Sequence, residues 1–307
     1  MISLFFNKSK VSSYLFSVLI VIAVVYYHLR ENTSQNYFVN EKNAAAFLLI
    51  LCLLSIDWAV KKYYWANKAS YHLLVFSLGV FALPIELFNS WMVVYAFFFW
   101  IAFIQLLNIS SQGKEVKSTF NAGFFLCFGS LFLPVGIFMF PFIWVVLLIH
   151  RLLNVRLFLV SLLPFASIYL LGVMINAMFP NTSFFQEINF SASDFAWEGF
   201  SSFRQNIWWI ILLGLFFISM IKHYFSLGAK KASYGAGIIS LSLLAFLSFL
   251  FALLLQQVSV VAWVLFLMVV AASSTRFLEE IKRPWLREAI FLIFVLLLLV
   301  GKEGLVL

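Results

Sequence analysis

Eleven apolar runs follow one another along the chain with only short polar connections between most of them. They lie near residues 12–28, 43–60, 70–88, 91–109, 120–133, 137–150, 157–178, 207–222, 234–255, 258–275 and 286–301. A helix needs about 20 apolar residues to cross the hydrocarbon core of a bilayer. Water cannot accept this pattern: 64% of the 307 residues are hydrophobic and only 10% are charged, against about 25% charged in soluble domains. In lipid every backbone N–H and C=O must be satisfied inside the protein, and continuous apolar runs meet that demand as helices. The expected fold is an all-α polytopic transmembrane helix bundle of about eleven spans, a single integral membrane domain over 1–307.

The first run has a basic start, "FFNKSK", but ends in Tyr26, Tyr27 and His28 rather than in small residues. A cleaved signal peptide would close on small residues, so the run reads as a retained span. Lysine and arginine set the orientation. With the N-terminus in the cytoplasm, only Arg30, Lys42, Arg204 and Lys302 of the 20 basic residues fall outside; the other 16 fall inside. The C-terminus then lies outside.

That count also reads the stretch "FNAGFFLCFGSLFLPVGIFMFPFIWVVLLIH". As one crossing it would move every later basic loop outside. As two arms, broken at Pro134 and Gly136, it keeps them inside. Proline removes a backbone donor and glycine tolerates a turn. Each arm spans only roughly 21 Å at 1.5 Å per residue, so the pair is either two short crossings or a re-entrant hairpin. Its tip should be covered by protein or line a wet cavity.

Few side chains offer chemistry. Glu86 stands at the outer end of the third run, two residues after Pro84 and just before the tight connection "FNS". A carboxylate at a helix end can reach water, either as a solvated cap or as an acid or base facing an outer cavity. Asn89 could position it. Arg204 and Arg30 are outer cations that could hold an anionic substrate. Asp57, in "LSIDWAVKK", has Lys61 at i+4, a spacing that permits a local ion pair. A proton-relay role would need a second membrane acid, and none is nearby. In "SSQGKEVKSTFNAGF", Asn or Thr could cap the next helix; a phosphate or protein contact is the alternative. The "RFLEEIKRPWLRE" segment suits anionic lipid headgroups on the cytoplasmic side. Residues 179–206, polar and aromatic by turns, suit interfacial helices or a lid.

Other chemistries lack their residues. The four histidines, His28, His72, His150 and His223, lie on different spans without ligand spacing, so no metal and no cofactor are expected. Cys52 and Cys127 sit inside apolar runs and read as small buried side chains. No phosphate-binding G-x-x-x-x-G-K-[ST] loop occurs. The net charge of +8 is explained by membrane topology, so no nucleic acid partner is expected. Two similar halves, as in many transporters, are not found.

Two stretches, "SIDWAVKKYYWANKASYHLLVFSLGVFALPIELFNSW" and "KEVKSTFNAGFFLCFGSLFLPVGIFMFPFIWVVLLIHRLLNVRLFLVSLLPF", with the opening "FFNKSK", carry a resemblance. The chain resembles a family of uncharacterised integral membrane proteins of Flavobacteriia and related Bacteroidota, matching at Asp57, Pro84, Glu86, Lys117 and Asn121. An acid is more usual at the position of Asn121. Some members carry a carotene-oxygenase label, a chemistry the scattered histidines argue against. The resemblance implies a bacterial inner membrane. The functional expectation is a role in cell-envelope biogenesis with a membrane-embedded glycosyltransferase-like architecture. Glu86 would be its catalytic base, and Arg204, Arg30 and Asn89 would bind a polyprenyl-linked lipid. The alternatives are a non-catalytic scaffold or accessory subunit with an envelope protein partner, or a small-molecule transporter.

Overall fold

The computed structural model describes residues 6, 11–30, 37–63, 65, 69–81, 90–110, 114–178, 203–225, 232–254 and 259–303. Within these, the side chains of Arg30 and Arg204, among others at helix ends, are outside the description. The described residues are all-α. In chain order the helices are α1 (Val11–Arg30), α2 (Tyr37–Lys62), α3 (Tyr71–Phe81), α4 (Ser90–Leu107), α5 (Glu115–Ser130) and α6 (Pro141–Ile149). They continue as α7 (Val155–Met178), α8 (Phe203–Phe225), α9 (Ala232–Leu254), α10 (Ser259–Glu280) and α11 (Pro284–Glu303). Each of the eleven apolar runs overlaps one of them.

Among the described residues, three stretches are long and apolar enough to cross a membrane: Ala44–Lys62, Val155–Met174 and Val261–Glu280. Shorter apolar helical stretches accompany them. Large apolar side chains face outward along the bundle, among them Phe47, Leu159, Leu170, Phe217 and Phe246. Such a surface suits contact with lipid.

Helix ends follow local chemistry. Pro141 and Pro284 open α6 and α11, where a missing N–H costs nothing. Asn154 Oδ1 accepts the Leu157 amide and caps α7. Helix α6 closes with Arg151 at φ 57°; Arg151 N donates to Leu148 O and Leu152 N to Leu147 O. That is a left-handed cap, a place usually given to glycine. The sequence expectation of an Asn or Thr cap on α5 is not met. The helix begins at Glu115, so Thr119 and Asn121 lie inside it, and Lys114 at the cap position makes no side-chain capping bond.

Helix α10 is the hub. Nearly every side chain from Val261 to Thr275 is buried, against α2, α3, α4, α8 and α9. The α3 contact is close: a Cβ on Gly79 would fall 2.1 Å from a Leu267 methyl.

Hydrogen bonds join eight helix ends at one level, which we call the basic end. These are the N-termini of α1, α3, α9 and α11 and the C-termini of α2, α4, α8 and α10. The alternation means that successive helices run up and down. It also decides the 120–150 stretch. For the C-terminus of α8 to lie at the basic end, α5 and α6 must be two arms of a hairpin. Their link is the 3₁₀ turn Pro134–Met139. Its tip is covered by protein, as expected: the buried Tyr95 hydroxyl donates to Gly136 O at 2.7 Å. Tyr95 lies twelve residues from the α4 C-terminus, so the tip stands about 18 Å above the basic end. Gly123 lets the first arm touch the α7 backbone, since a Cβ there would meet Ser161 O at 2.7 Å.

Candidate functional site

Asp57 lies on the last turns of α2, where Lys61 and Lys62 favour the negative end of the helix dipole. The connection to α3 brings the chain back at once. Asp57 lies five residues before the end of α2 and His72 is the second residue of α3, and the antiparallel helix pair brings the two side chains together. His72 Nε2 lies 2.9 Å from Asp57 Oδ1. A carboxylate only accepts, so Nε2 carries the hydrogen. Asp57 Oδ2 accepts from Tyr14 Oη of α1 at 2.9 Å and from Lys61 Nζ at 2.9 Å. Lys61 also contacts the Tyr14 hydroxyl. The carboxylate is therefore matched by three donors from three helices. His72 is fully buried, and its Nδ1 has no partner among the described residues.

The same end holds further links. Ser70 Oγ donates to Ser13 Oγ at 3.2 Å, and Ser70 N to Phe6 O at 2.9 Å. Glu279 of α10 accepts the Ala69 amide at 2.5 Å. Arg287 of α11 donates to the Tyr71 hydroxyl at 2.6 Å. Tyr63 Oη reaches Ile104 O at 2.8 Å and Asn108 Oδ1 at 2.9 Å, tying α2 to α4. Burial pushes the Tyr63 phenol above its ordinary range and keeps it a neutral donor.

A second network joins α8, α9 and α10. His223 Nε2 donates to Ser273 O at 3.0 Å, which leaves Nδ1 as the acceptor of the Tyr234 hydroxyl at 2.7 Å. Arg276 donates to the oxygen of Tyr234 at 2.9 Å and to Glu280 at 3.1 Å. Lys222 lies 3.8 Å from the other Glu280 oxygen. Each donor meets an acceptor along the chain Arg276–Tyr234–His223–Ser273, so the network is satisfied with a neutral imidazole.

Chemically, both networks are clamps. Their carboxylates are occupied and their histidines are buried. No group of three His, Cys, Asp or Glu side chains that could hold a metal ion occurs among the described residues. Cys52 and Cys127 are buried free thiols.

The ion pair foreseen between Asp57 and Lys61 is present. Sequence reading missed its other partners, Tyr14 and His72. The short α2–α3 connection, which folds the two helices back on each other, was a usable signal for His72; the approach of Tyr14 from α1 had none. Glu86 and Asn89 lie outside the described residues. Arg30 is the last residue of α1 and Arg204 belongs to the first turn of α8. These two backbone positions, the C-terminus of α3 and the N-terminus of α4 are all helix ends opposite to the basic end.

No family model matches the chain, and neither a curated protein nor a solved structure is significantly similar to it.

Proposed function

We propose that the chain is a multi-pass protein of a bacterial inner membrane, with its N-terminus cytoplasmic and its C-terminus periplasmic, and that it works on its outer face in cell-envelope biogenesis. The observation that carries this reading is the basic end. It gathers eight helix termini, and the lysine and arginine excess belongs to the connections at that end. Such an excess marks the cytoplasmic side. Exposed Trp58 and Trp285 lie on helix turns at the same end, as interfacial tryptophans do. We assign the chain to the Bacteroidota family on the two stretches quoted above.

The carboxylates of the two clamps, Asp57 and Glu280, are engaged within the basic end, which turns attention to the opposite ends of α1, α3, α4 and α8. The sequence puts Arg30, Glu86, Asn89 and Arg204 in or beside those termini. In this reading Glu86 is the general base that activates an acceptor hydroxyl. Asn89 orients it, and Arg204 and Arg30 hold the phosphate of a polyprenyl-linked sugar donor. In this reading the bundle serves as a membrane-embedded, glycosyltransferase-like scaffold for these residues.

The test is a mass-spectrometric profile of polyprenyl-linked lipids in cells lacking the protein. One accumulating sugar-lipid is expected, and Glu86→Gln at normal protein level should reproduce it. An unchanged profile would refute the enzymatic reading in favour of a scaffold, accessory subunit or transporter. Full activity of Glu86→Gln would remove Glu86 from the mechanism.

A further inference from the structure

The clamps consume three carboxylates of the basic end, Asp57, Glu279 and Glu280, and Glu115 at the start of α5 makes no ion pair among the described residues. Asp57 accepts three donors, Glu280 is shared by Arg276 and Lys222, and Glu279 holds the Ala69 amide. Lys62, Lys114 and Lys117 have no acid partner among the described residues. Lys62 Nζ lies instead over the rings of Trp58, at 4.3 Å, and Tyr63, at 5.6 Å. Lys114 is near enough for its charge to act on Lys62. Tyr63 creates this juxtaposition. Its bond to Asn108 draws the end of α2 to the end of α4, six residues before Lys114.

Above the lysines runs a groove. Helices α2 and α5 both pack on α4. Tyr63 marks the α2 flank through Ile104 and Asn108. Phe98, against Phe125 and Phe128, marks the α5 flank. Between the flanks α4 keeps a half-exposed stripe of Val94, Phe98, Ile101, Gln105 and Asn108. Steps of three and four keep such a stripe on one helix face. Trp58 and Phe124 stand exposed on the two walls, at 48% and 38%.

We propose that this groove binds one anionic phospholipid, with its phosphate held by Lys62, Lys114 and Lys117 and an acyl chain lying on the α4 stripe. The proposal rests on the reading that the basic end faces the inner leaflet. Three unpaired cations call for an anion from outside the chain. The apolar floor behind them selects an anion with a hydrocarbon tail over free phosphate. The amide of Gln105, one turn above Asn108, suits the glycerol ester level. Each lysine near an anionic lipid surface contributes about 1 kcal/mol, which is about fivefold in affinity.

The test is native mass spectrometry of the purified protein, released from micelles doped with dioleoyl phosphatidylglycerol or dioleoyl phosphatidylcholine. The wild type should retain phosphatidylglycerol in preference to phosphatidylcholine. Lys62→Gln/Lys114→Gln/Lys117→Gln should lose that preference by on the order of a hundredfold, and Arg151→Gln/Arg156→Gln, at exposed positions beyond the second hairpin arm, should keep it. If the triple variant fails to fold, Lys114→Gln alone should lose about fivefold. Equal retention of the two lipids by the wild type would overturn the site, as would equal losses in both sets of variants or full competition by inorganic phosphate. Orientation is read separately, by impermeant maleimide on Lys282→Cys, since both native cysteines are buried. Labelling in intact spheroplasts would overturn the inner-leaflet reading without altering the lipid preference in micelles, so the two failures are distinguishable.

Discussion

Asp57→Ala removes three hydrogen bonds at once, and their costs differ by burial. Lys61 is about half exposed, with 48% of its side chain accessible. Its pair with Asp57 is screened and contributes under about 1 kcal/mol. Tyr14 is only part-buried and keeps its contact with Lys61. His72 has no accessible surface, so its Nε2–H would be left unpaired in the interior at about 1–3 kcal/mol. The total expected loss is about 2–4 kcal/mol, and most of it belongs to His72. A double-mutant cycle isolates that part. Asp57→Ala, His72→Ala and the double variant are unfolded from bicelles with dodecyl sulfate, and the coupling energy is read from the four stabilities. Bonds to a charged acceptor contribute about 1.5–3 kcal/mol in soluble cores, while interhelical bonds in bilayers average about 0.6. A coupling of about 1–2 kcal/mol is expected for a pair at a helix end. Lys61→Gln should cost less than about 1 kcal/mol. A coupling within about 0.3 kcal/mol of zero, the ordinary scatter of additive sites, would refute the clamp.

Other substitutions test the remaining contacts by the same unfolding assay. Gly136→Ala would place a Cβ 2.1 Å from the Tyr95 ring and should cost about 1–3 kcal/mol; no loss would mean the tip does not rest on Tyr95. Tyr95→Phe should cost about 1 kcal/mol by leaving the Gly136 carbonyl unpaired. Tyr234→Phe breaks the chain from Arg276 to His223 and should cost about 1–2 kcal/mol, with no further loss when Arg276→Gln is added if the two act as one network. Arg151→Gly relieves a left-handed backbone at φ 57° and should stabilise the protein by about 0.5–1 kcal/mol; a loss would show that the Arg151 side chain matters more than its backbone.

The helices were legible because lipid leaves the backbone no alternative. Each of the eleven runs overlaps a helix among the described residues, and the basic-residue count correctly split the 120–150 stretch at Pro134 and Gly136. The count worked because charge cannot be hidden in hydrocarbon, so it reports on which end a helix terminus lies. Less could be read about contacts. Asp57 and Lys61 share one helix, and their i, i+4 spacing is a local fact. Tyr14 reaches Asp57 across 43 positions and Arg287 reaches Tyr71 across 216; such pairs depend on how helices are arranged around α10, which no periodicity encodes. The cap of α5 was misread for a local reason. Helix geometry extends through the polar "EVKST" because Ser118 and Thr119 are buried against the bundle, and packing outweighs their preference for a cap.

The distribution of polar bonds bears on where the molecule is firm. Between helices in lipid there is no hydrophobic drive to associate, because lipid tails are as apolar as leucine; packing and hydrogen bonds must fix the arrangement. At the basic end the bonds from Asp57, Tyr63, Glu279, Arg287 and His223 lock eight helix termini into one level. Toward the opposite end the cross-helix bond on the α4 side is that of Tyr95 to Gly136, about 18 Å above the basic end. Helix α7 continues past that height. Its side chains Tyr169, Leu170, Leu171, Val173 and Met174 are exposed, because the short hairpin beside it has ended. Among the described residues, the cross-helix hydrogen bonds therefore concentrate at the basic end, and α7 carries its exposed apolar side chains beyond the hairpin tip.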